Sequence, residues 1–404
     1  MYDFLVIGGG AAGFFAAINV KNKVPGLKVG ILEKQGKVLQ KVKVSGGGRC
    51  NVTNKIADPE TLASHYPRGG SFLKEAFVHF NSSHTQEWFA ARGVPLKTEA
   101  DGRVFPQSDS SQSVIDCFLR EARNIELILH CRVERITPIS GGWEVITADG
   151  KVFQTRRLML ATGSDGRVWD TVRQLGLAVT QAVPSLFTFN IEDPALNALP
   201  GISFPEATVT VKNSTLKQSG PLLITHWGLS GPAILKLSAW GAYQLQKSDY
   251  KFEICVNWLA QKDRNELEEE IKRNFQENPK KNIRLMPISG LSQRFWNYIC
   301  EKSGISEFQK GAEGGKKQLA ALLENLTAAQ FRVDGKSTFK EEFVTAGGVD
   351  LSEVNHDNFV AHRYPDLYLG GEVLNIDAVT GGFNFQAAWT AGWQISEDIY
   401  QKYC

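Results

Sequence analysis

The sequence predicts an α/β fold in which a largely parallel sheet is interrupted by a separate antiparallel β unit. Three observations lead to this expectation. The chain opens with a strand, a glycine turn, a helix and a second strand within residues 4–32. Short strands joined by turns follow between 187 and 343, and the residues after 344 return to a strand, paired glycines and a helix. Strands that alternate with helices favour a parallel sheet, whereas consecutive short strands favour an antiparallel one.

The first motif is a GxGxxG turn. Residues 4–13 read FLVIGGGAAG, and Glu33 lies twenty residues after Gly13, at the end of the second strand. In such a turn Gly8 permits the sharp bend, Gly10 lets the backbone approach a pyrophosphate, and Gly13 lets the helix pack against the sheet. The helix N-terminus offers free N–H groups to phosphates, while Glu33 can bind ribose hydroxyls and would repel a 2′-phosphate. The motif predicts a Rossmann-like dinucleotide-binding domain; the alternative is an ordinary tight strand-to-helix turn.

The composition is that of an ordinary globular protein with room for two or three domains. Its 45 basic and 43 acidic residues leave a net charge of +2, which gives no global attraction to nucleic acid or to an anionic membrane. The six cysteines are scattered without a C-x-x-C pair and are expected to be reduced thiols. The first strand begins almost at once, without a signal-peptide pattern, and residues 4–18 are too short to span a membrane. We therefore expect a cytoplasmic protein with no membrane partner.

Several elements are expected in the first half of the chain. Residues 41–54, KVKVSGGGRCNVTN, are expected to form a loop whose glycines can follow a flat ligand or a phosphate closely; a flexible solvent loop is the alternative. The patterns predict helices over 72–92 and near 110–123, and a three-stranded meander over 132–156. The apolar run at 157–164, RLMLATGS, predicts a buried strand that returns to the main sheet and ends in a glycine turn.

The pattern changes after residue 187. Short strands predict an antiparallel β unit, and a charged stretch with helical character predicts a small helical insertion within it. The segment THWGLSGP at 225–232 is expected to be a turn that opens a helix, because Pro232 suits the first turn. The predicted domains are a nucleotide-binding domain of residues 1–186 and 344–404, an inserted β domain of residues 187–260 and 327–343, and a helical subdomain of residues 261–326.

The last part of the chain returns to the first domain. Residues 345–349 are expected to form a glycine turn, and residues 367–372 a strand that ends in an acid. Glu372 could bind the hydroxyls of a ribityl chain or a water on the pyrophosphate; a solvated loop acid is the alternative.

A final helix opens at residues 380–386, TGGFNFQ. The amides of Gly382, Phe383 and Asn384 can face the pyrimidine side of an isoalloxazine ring. There the amides and the helix dipole would stabilise the negative charge of a reduced flavin. A dinucleotide domain closed by strand, Gly-Glu, Gly-Gly and helix therefore indicates a flavin protein.

The sequence contains one GxGxxG turn and no second nucleotide-binding domain. NAD(P)H would therefore dock transiently over the flavin, or the substrate itself would supply the electrons. No protein acid–base constellation stands out. His226 is the best single catalytic candidate, although a turn histidine that caps backbone groups is favoured over it. Cys50 lacks a partner cysteine, so packing is favoured over redox chemistry, and no histidine has the spacing of a metal ligand.

The chain resembles the BaiN-like (YhiN, aminoacetone-oxidase-like) FAD-dependent flavoproteins over nearly its whole length. The motifs that carry the resemblance are VIGGGAAG at 6–13, SGGGRCNVTN at 45–54, GRVFP at 102–106, THWGLSGP at 225–232, TAGGV at 345–349, and GGEVLNID at 370–377 with GGFN at 381–384. The resemblance implies a three-part fold of the two-dinucleotide-binding-domain flavoprotein type: a Rossmann-like FAD-binding domain, an inserted antiparallel β-barrel-like domain and a small helical subdomain.

The resemblance also implies bound FAD and oxidoreductase activity, while members are variously oxidases of small amines or reductases of unsaturated substrates. With the motifs, it gives the following candidate cofactor-binding residues: Gly8, Gly10, Ala11, Ala12, Gly13, Glu33, Lys34, Lys41, Ser45, Gly46, Gly47, Arg49, Cys50, Asn51, Val133, Ala161, Thr162, Gly163, Gly371, Glu372, Gly382, Phe383, Asn384 and Gln386.

The function expected from the sequence is two-electron transfer between bound FAD and a small organic substrate, with NAD(P)H as a possible transient donor. An amine oxidase is the alternative within this class. A flavin enzyme that modifies nucleic acid and a non-catalytic flavin-binding redox sensor receive less support, the former because no basic, aromatic-rich stripe is visible. The oligomeric state is left open.

Overall fold

The computed structural model describes residues 1–288, 290–337 and 344–404, which divide into two units. The first unit is formed by residues 1–184 and by those from 344 onward, and the second by residues 185–337. The three-part division expected from the sequence stays a prediction, and residues 338–343 of its β domain lie outside the described residues.

The first unit contains the elements that surround the glycine turn. Its strands are β1 (Tyr2–Ile7), β2 (Val29–Leu32), β3 (Thr53–Asn54), β4 (Leu96–Thr98), β5 (Arg103–Pro106), β6 (Glu126–Ile128), β7 (Val133–Ile139), β8 (Gly142–Thr147), β9 (Val152–Leu160) and β10 (Val179–Ser185). Its helices before the second unit are α1 (Ala11–Lys23), α2 (Gln40–Gly48), α3 (Pro59–Ala63), α4 (Gly70–His79), α5 (Ser82–Ala90), α6 (Ser111–Glu121) and α7 (Gly166–Gln174).

The second unit contains six strands and six helices among its described residues. The strands are β11 (Thr188–Ile191), β12 (Ser203–Val211), β13 (Lys217–Thr225), β14 (Gly228–Ser230), β15 (Lys251–Asn257) and β16 (Ala329–Ser337). The helices are α8 (Pro194–Asn197), α9 (Pro232–Trp240), α10 (Ala242–Lys247), α11 (Arg264–Glu277), α12 (Gln293–Lys302) and α13 (Lys316–Thr327). The chain then returns to the first unit through β17 (Val344–Val349), β18 (Val360–Ala361), β19 (Tyr364–Leu369) and α14 (Phe383–Gln401).

The main sheet of the first unit has the strand order β18-β19-β9-β1-β2-β6. β1 lies parallel to β2 and β9, and the outer strands β6 and β19 continue this direction. Because the carboxyl ends of parallel strands meet at one edge of a sheet, the residues that follow β1, β2, β9 and β19 converge there. We call this edge the carboxyl edge.

Strand β9 belongs to two pairing patterns at once. Its first residues pair antiparallel with β8, from Ile146 opposite Val152 to Trp143 opposite Thr155. Its later residues pair parallel with β1, up to Ile7 opposite Leu160. The meander expected over 132–156 is present, but its last strand and the predicted return strand at 157–164 are one continuous strand.

Helices α1 and α14 pack directly against each other beside the main sheet. Gly392 permits the close approach, since a Cβ there would lie 2.9 Å from the Ala16 amide nitrogen. The ring centroids of Phe15 and Trp389 are 5.2 Å apart, and Phe118 lies 5.5 Å from Trp389. These buried rings form the core between the two helices.

Three predicted elements of the first unit differ in the structure. The expected 41–54 loop begins with helix α2, and its glycines follow where the helical backbone breaks at Ser45. The expected 72–92 helix is two helices, because Phe80 takes an extended conformation and Asn81 caps α5. The predicted glycine turn at 345–349 is wrong, since these residues form the buried strand β17, which pairs with β10.

The second unit is built on a closed six-stranded barrel of order β11-β14-β13-β12-β15-β16 with antiparallel pairing throughout. Alternate residues of β12 are buried, as expected for a strand with one face in a core. The apolar faces of α11, α12 and α13 share this core, with Leu267, Phe295 and Leu322 fully buried. The closing strand β16 falls in the stretch after residue 327 that the sequence assigns to the β domain, but no individual strand is predicted there, because Arg332, Asp334 and Lys336 interrupt the apolar pattern.

We predict that Gly347→Ala destabilises the protein by about 2 kcal/mol. Gly347 has a φ of +110°, and a Cβ there would lie 2.5 Å from the Gln181 carbonyl oxygen across the β10–β17 pair. Urea denaturation followed by circular dichroism measures the change. Gly26→Ala is the matched control, because a Cβ at Gly26 meets open space. Equal stability of the two variants would contradict the account of β17 as a tightly paired strand.

Candidate functional site

The glycine turn after β1 is shaped by two close contacts and one open position. Gly8 has a φ of +113°, and a Cβ there would lie 2.3 Å from the Ala161 carbonyl oxygen. A Cβ at Gly13 would lie 2.2 Å from the Gly8 carbonyl oxygen. At Gly10, by contrast, a Cβ would meet nothing within 4 Å. Packing therefore explains Gly8 and Gly13, while Gly10 faces an open space.

That open space lies at the N-terminus of α1. Gly10 is the residue that precedes the helix, no side chain caps it, and the first turn contains no acidic residue. The first N–H groups of a helix, here beginning at Ala11 and Ala12, have no partner within the helix. An uncapped helix N-terminus is a site for an anionic group such as a phosphate.

Glu33 is held beside the turn by two backbone amides. Its Oε2 accepts a hydrogen bond from the Gly9 N–H at 2.8 Å, and its Oε1 accepts one from the Gln35 N–H at 2.8 Å. Each carboxylate oxygen has a further lone pair for a ribose hydroxyl. The Cys131 N–H donates to the Glu33 carbonyl oxygen at 2.8 Å, which brings the start of β7, and so Val133, towards this residue. Lys34 is exposed and pairs with Asp165 at 2.5 Å.

The loops that follow β9 and β19 meet at the carboxyl edge. Thr162, directly after Ala161, has a buried hydroxyl oxygen with no hydrogen-bond partner among the described residues. A Cβ at Gly163 would lie 3.8 Å from Oε2 of Glu372, and a Cβ at Gly371 would lie 3.1 Å from the Ala12 side chain. An unpartnered buried hydroxyl beside open backbone is the arrangement expected where a polar ligand binds.

Glu372 forms an ion pair with Lys41. Lys41 lies on α2 and Glu372 follows β19, so the pair joins two of the predicted cofactor-binding segments. The Glu372 side chain is 17% exposed and that of Lys41 is 53% exposed. The solvated-acid alternative for Glu372 therefore receives no support from its surroundings.

The glycine segment at the end of α2, residues 46–48, has an unusual backbone. Gly46, Gly47 and Gly48 have φ values of 58°, 68° and 83°, and a Cβ at Gly47 or Gly48 would meet nothing within 4 Å. Ser45 uses its hydroxyl to donate to the Val42 carbonyl oxygen at 3.1 Å. These glycines leave an open, unobstructed backbone surface of the kind a flat ligand can approach.

Arg49 and Cys50 are both engaged by the protein itself. The Arg49 guanidinium lies 4.0 Å from the centroid of the Phe105 ring and donates to Glu99 at 2.6 Å. Cys50 is fully buried, and this burial raises the pKa of its thiol to about 12. Cys50 therefore packs as an uncharged side chain and has no thiolate for redox chemistry near neutral pH.

The N-terminus of α14 is formed at a tight glycine contact. Gly382 has a φ of +88°, and a Cβ there would lie 2.5 Å from the Thr53 carbonyl oxygen. The Asn51 amide is oriented so that its nitrogen donates to that carbonyl at 3.0 Å while its oxygen accepts from the Gly382 N–H at 2.9 Å. The helix itself has no side-chain cap. The Gly382 amide is thus occupied, and the first N–H groups of the helix proper remain for a ligand.

Three predicted residues on α14 face the protein interior. Phe383 is buried, and the Asn384 side chain bonds both to the Ala378 N–H, at 3.0 Å, and to the Ala378 carbonyl oxygen, at 3.3 Å. The Gln386 side chain is fully buried, and its oxygen accepts from the hydroxyls of Thr53 and Thr85 at 2.6 and 2.9 Å. Its nitrogen donates to the Thr390 hydroxyl and to the Phe80 carbonyl. Gln386 therefore supports the helix start, and its side chain has no polar atom left for a cofactor.

His226 lies in the second unit, at the tip of the hairpin between β13 and β14, where it is exposed. The turn predicted to open a helix at 225–232 is in fact this two-residue hairpin turn followed by a short strand, and α9 begins only at Pro232. Among the residues that the structure describes, no side chain bonds the imidazole and orients it for acid–base chemistry. The interpretation as a turn histidine agrees with this position.

The sequence analysis missed the segment at 65–68. The Tyr66 hydroxyl donates to the Phe383 carbonyl oxygen at 2.6 Å, and burial raises the pKa of Tyr66 well above its usual value, so the hydroxyl stays protonated. Arg68 forms a bidentate pair with the fully buried Asp377. The His65 ring stacks on Phe383 with centroids 4.3 Å apart. No motif marks these residues, because the contacts join segments more than 300 residues apart.

His65 is oriented by its neighbours. Its Nδ1 lies 2.9 Å from the Thr61 carbonyl oxygen, which can only accept, so Nδ1 carries a hydrogen in this contact. The ring is half-buried, and its Nε2 is the nitrogen that takes no part in the Thr61 contact. His65 thus stacks on Phe383, one of the predicted cofactor-binding residues.

Residues 2–398 match the model of the HI0933-like protein Rossmann domain. The chain belongs to the HI0933-like family. It is 27% identical over 411 residues to the ribosomal RNA dihydrouridine synthase of Escherichia coli (strain K12), with 98% of each chain covered. It is 26% identical over 400 residues to the 3-dehydro-bile acid delta(4,6)-reductase of Clostridium scindens, with 96% of each chain covered.

A solved structure with a similar fold is that of 3-ketosteroid-delta4-(5alpha)-dehydrogenase from Rhodococcus jostii RHA1 in complex with 4-androstene-3,17-dione. The TM-score is 0.54 at 14% identity, covering 99% of this chain and 96% of that chain. The resemblance to BaiN-like flavoproteins and the predicted fold class, a Rossmann-like domain of the FAD-binding type with an inserted barrel, are confirmed. The chain is therefore a member of a flavin oxidoreductase family.

None of the helices in residues 1–288, 290–337 and 344–404 combines the length and apolar character needed to cross a membrane. Within the same ranges, no group of three or more His, Cys, Asp or Glu side chains is placed to hold a metal ion.

We predict that Gly10→Ala lowers the flavin content of the purified protein while its stability is unchanged. The added methyl group meets no protein atom within 4 Å but would occupy the space in front of the α1 N-terminus. We expect affinity for FAD to fall by about tenfold or more, equivalent to about 1.4 kcal/mol. The absorbance near the flavin band relative to that of the protein measures occupancy. Gly166→Ala, also in open space, is the control; equal flavin loss in both variants would contradict this phosphate site.

Proposed function

We propose that this chain is an FAD-dependent reductase that saturates a ring carbon–carbon double bond conjugated to a carbonyl group. The observation that carries the proposal is the pair of uncapped helix N-termini, α1 at the open Gly10 and α14 at Gly382, which suit the two ends of a flavin dinucleotide. The residues of the carboxyl edge provide the remaining contacts.

FAD fits these residues half by half. The pyrophosphate would lie on the α1 N-terminus near Thr162, and Glu33 would accept hydrogen bonds from the ribose of the ADP half. Glu372 and the glycine segment at 46–48 would hold the ribityl chain and the ring. The N-terminus of α14 would face the pyrimidine side, where its dipole stabilises the anionic reduced ring. When bound, FAD supplies the two-electron hydride chemistry of the reaction.

The choice of reaction is supported by what the two relatives have in common. Dihydrouridine is uridine in which the ring double bond next to a carbonyl is saturated, and a delta(4,6)-reductase of a 3-dehydro bile acid acts on double bonds conjugated to the 3-carbonyl. The molecules that contain the double bond, an RNA and a bile acid, are unlike each other, whereas the bond that is reduced is of the same kind. We therefore extend the type of reaction to this chain, but not either substrate.

The reduction needs a proton as well as a hydride, and we assign the proton to His65. Its Nδ1 contact with the Thr61 carbonyl oxygen fixes the orientation of the ring and leaves Nε2 as the nitrogen that would exchange a proton with the substrate. Its Nε2 would deliver a proton to the carbon that does not receive the hydride. NADH or NADPH would dock transiently as the hydride source, because the sequence holds no second GxGxxG turn for it.

An anaerobic spectral titration tests the proposed reaction. We expect NADH or NADPH to bleach the flavin band, and a 3-oxo-Δ4 steroid or uridine to restore it without air. Reduction of the flavin by a primary amine, followed by fast reoxidation in air and none by the conjugated substrates, would establish an oxidase instead. A flavin that neither nicotinamides nor amines reduce would contradict a catalytic role and leave a flavin-binding scaffold.

We predict that His65→Gln lowers turnover by roughly a hundredfold or more, as expected for loss of a general acid, while flavin content and bleaching by the nicotinamide persist. Stopped-flow reoxidation of the reduced enzyme by substrate isolates this step. His356→Gln, which changes an exposed histidine of the same unit, is the control. Loss of turnover in His226→Gln but not in His65→Gln would identify His226, the candidate predicted from the sequence, as the proton donor and would contradict the assignment of His65.

A further inference from the structure

The helical part of the second unit separates its charges along the chain. Helix α11 contains three Lys or Arg and five Glu, whereas residues 278–317 contain eight Lys or Arg and three Glu. The net charge of +2 for the whole chain conceals this basic segment. The predicted helical subdomain, residues 261–326, is charged throughout, and its division into elements reveals this separation.

Three of the five glutamates of α11 have cations close by. Lys262 bonds Glu270 at 2.7 Å, and Lys272 bonds both Glu268 at 2.8 Å and Glu269 at 3.0 Å. These three acids are therefore paired within their own part of the chain and not with the basic segment that follows.

Five lysines of the basic segment have no such partner. Lys302 pairs with Asp193, and the guanidinium groups of Arg284 and Arg294 donate to the carbonyl oxygens of Ile305 and Ala198. The remaining basic side chains are exposed and form no ion pair within the residues that the structure describes: Lys280, Lys281, Lys310, Lys316 and Lys317. We call these residues the five-lysine surface.

Backbone contacts join the segments that carry three of these lysines, Lys280, Lys281 and Lys310. Residues 279–283 and 309–312 run antiparallel, with Asn282 opposite Lys310 and with the Gly311 N–H donating to the Lys281 carbonyl oxygen at 3.0 Å. Lys316 and Lys317 follow two glycines, in the first turn of α13, where the helix dipole disfavours positive charge. Folding gains nothing from cations at that position.

An aromatic side chain stands beside these lysines without being buried. Phe308 is 77% exposed, and it precedes Lys310 by two residues. The Asn282 amide fixes the backbone next to it by donating to the Glu307 carbonyl oxygen. Glu313, an acid of the same stretch, is committed to the Lys310 N–H at 2.9 Å. An exposed aromatic ring in the same stretch as lysines that form no ion pair among the described residues is the combination that binds unpaired bases and their phosphates.

We propose that the five-lysine surface and Phe308 form a docking surface for RNA, with lysines on the phosphates and the ring stacked on a base. This inference rests on the proposed function, because an RNA would carry a pyrimidine whose ring double bond is conjugated to a carbonyl. An anionic membrane fits less well, since the apolar faces of α12 and α13 are buried in the core and leave no amphipathic helix for a lipid surface.

Fluorescence anisotropy with a labelled single-stranded oligouridine tests the surface on the full-length protein. We expect Lys281→Gln/Lys310→Gln to weaken binding at least tenfold at moderate salt and to reduce the slope of log affinity against log salt by about 1.4, the value for two lost phosphate contacts on a single strand. We expect Phe308→Leu to weaken binding roughly tenfold with an unchanged slope, as for loss of one stacked base.

Lys217→Gln/Lys247→Gln is the matched control, because it also removes two exposed lysines of the second unit that form no ion pair among the described residues. Equal loss in both double variants, absence of oligouridine binding by the wild type, or binding of phosphatidylserine vesicles instead of oligouridine would overturn the proposal. Reduction of a 3-oxo-Δ4 steroid is measured in parallel. If that reaction proceeds but oligouridine does not bind, this inference alone fails; if binding follows the predicted pattern but no flavin reduction occurs, the proposed function alone fails.

Discussion

The packing of α1 against α14 is the contact on which the site depends. Gly392 lets the two backbones approach, and the buried rings of Phe15 and Trp389 fill the space beside it. The helices belong to opposite ends of the chain, so only folding fixes the positions of their uncapped N-termini within one unit. Because each N-terminus carries a partial positive charge, each favours an anionic group of a ligand.

The loops of the carboxyl edge supply polar side chains near the N-terminus of α1. Glu33 is anchored by two backbone amides, and the ion pairs Lys34–Asp165 and Lys41–Glu372 each join loops that are distant in sequence. Exposed or half-exposed ion pairs stabilise a fold by little, so their value lies in orienting the loops. The buried pair of Arg68 and Asp377 and the hydroxyl of Tyr66 fix the entry to α14 more rigidly, because their polar atoms are withdrawn from water.

Local sequence patterns were sufficient to predict the features that depend on residues close together in the chain. The turn at Gly8–Gly13, the acid at Glu33 and the antiparallel unit after residue 187 follow from spacing, although its strands β14 and β16 do not. Local patterns failed where contacts with a distant part of the backbone determine the conformation. The glycines of β17 are typical of a turn in sequence, but in the structure they pack closely against the backbone of β10 and of the loop after β19. The same limit explains Gln386, which resembles a ligand-facing residue in sequence but is satisfied by Thr53 and Thr85 from other segments, and His65, which no motif marks.

We infer that α1 and Glu33 bind the ADP half of FAD and that α14 binds the flavin half. Calorimetric titration of flavin-free protein with FAD and, separately, with FMN tests this inference. The account predicts one FAD per chain, and FMN binding weaker by several orders of magnitude because FMN lacks the ADP moiety that the glycine turn and Glu33 would hold. FMN binding as tight as that of FAD, or no binding of FAD at all, would contradict it.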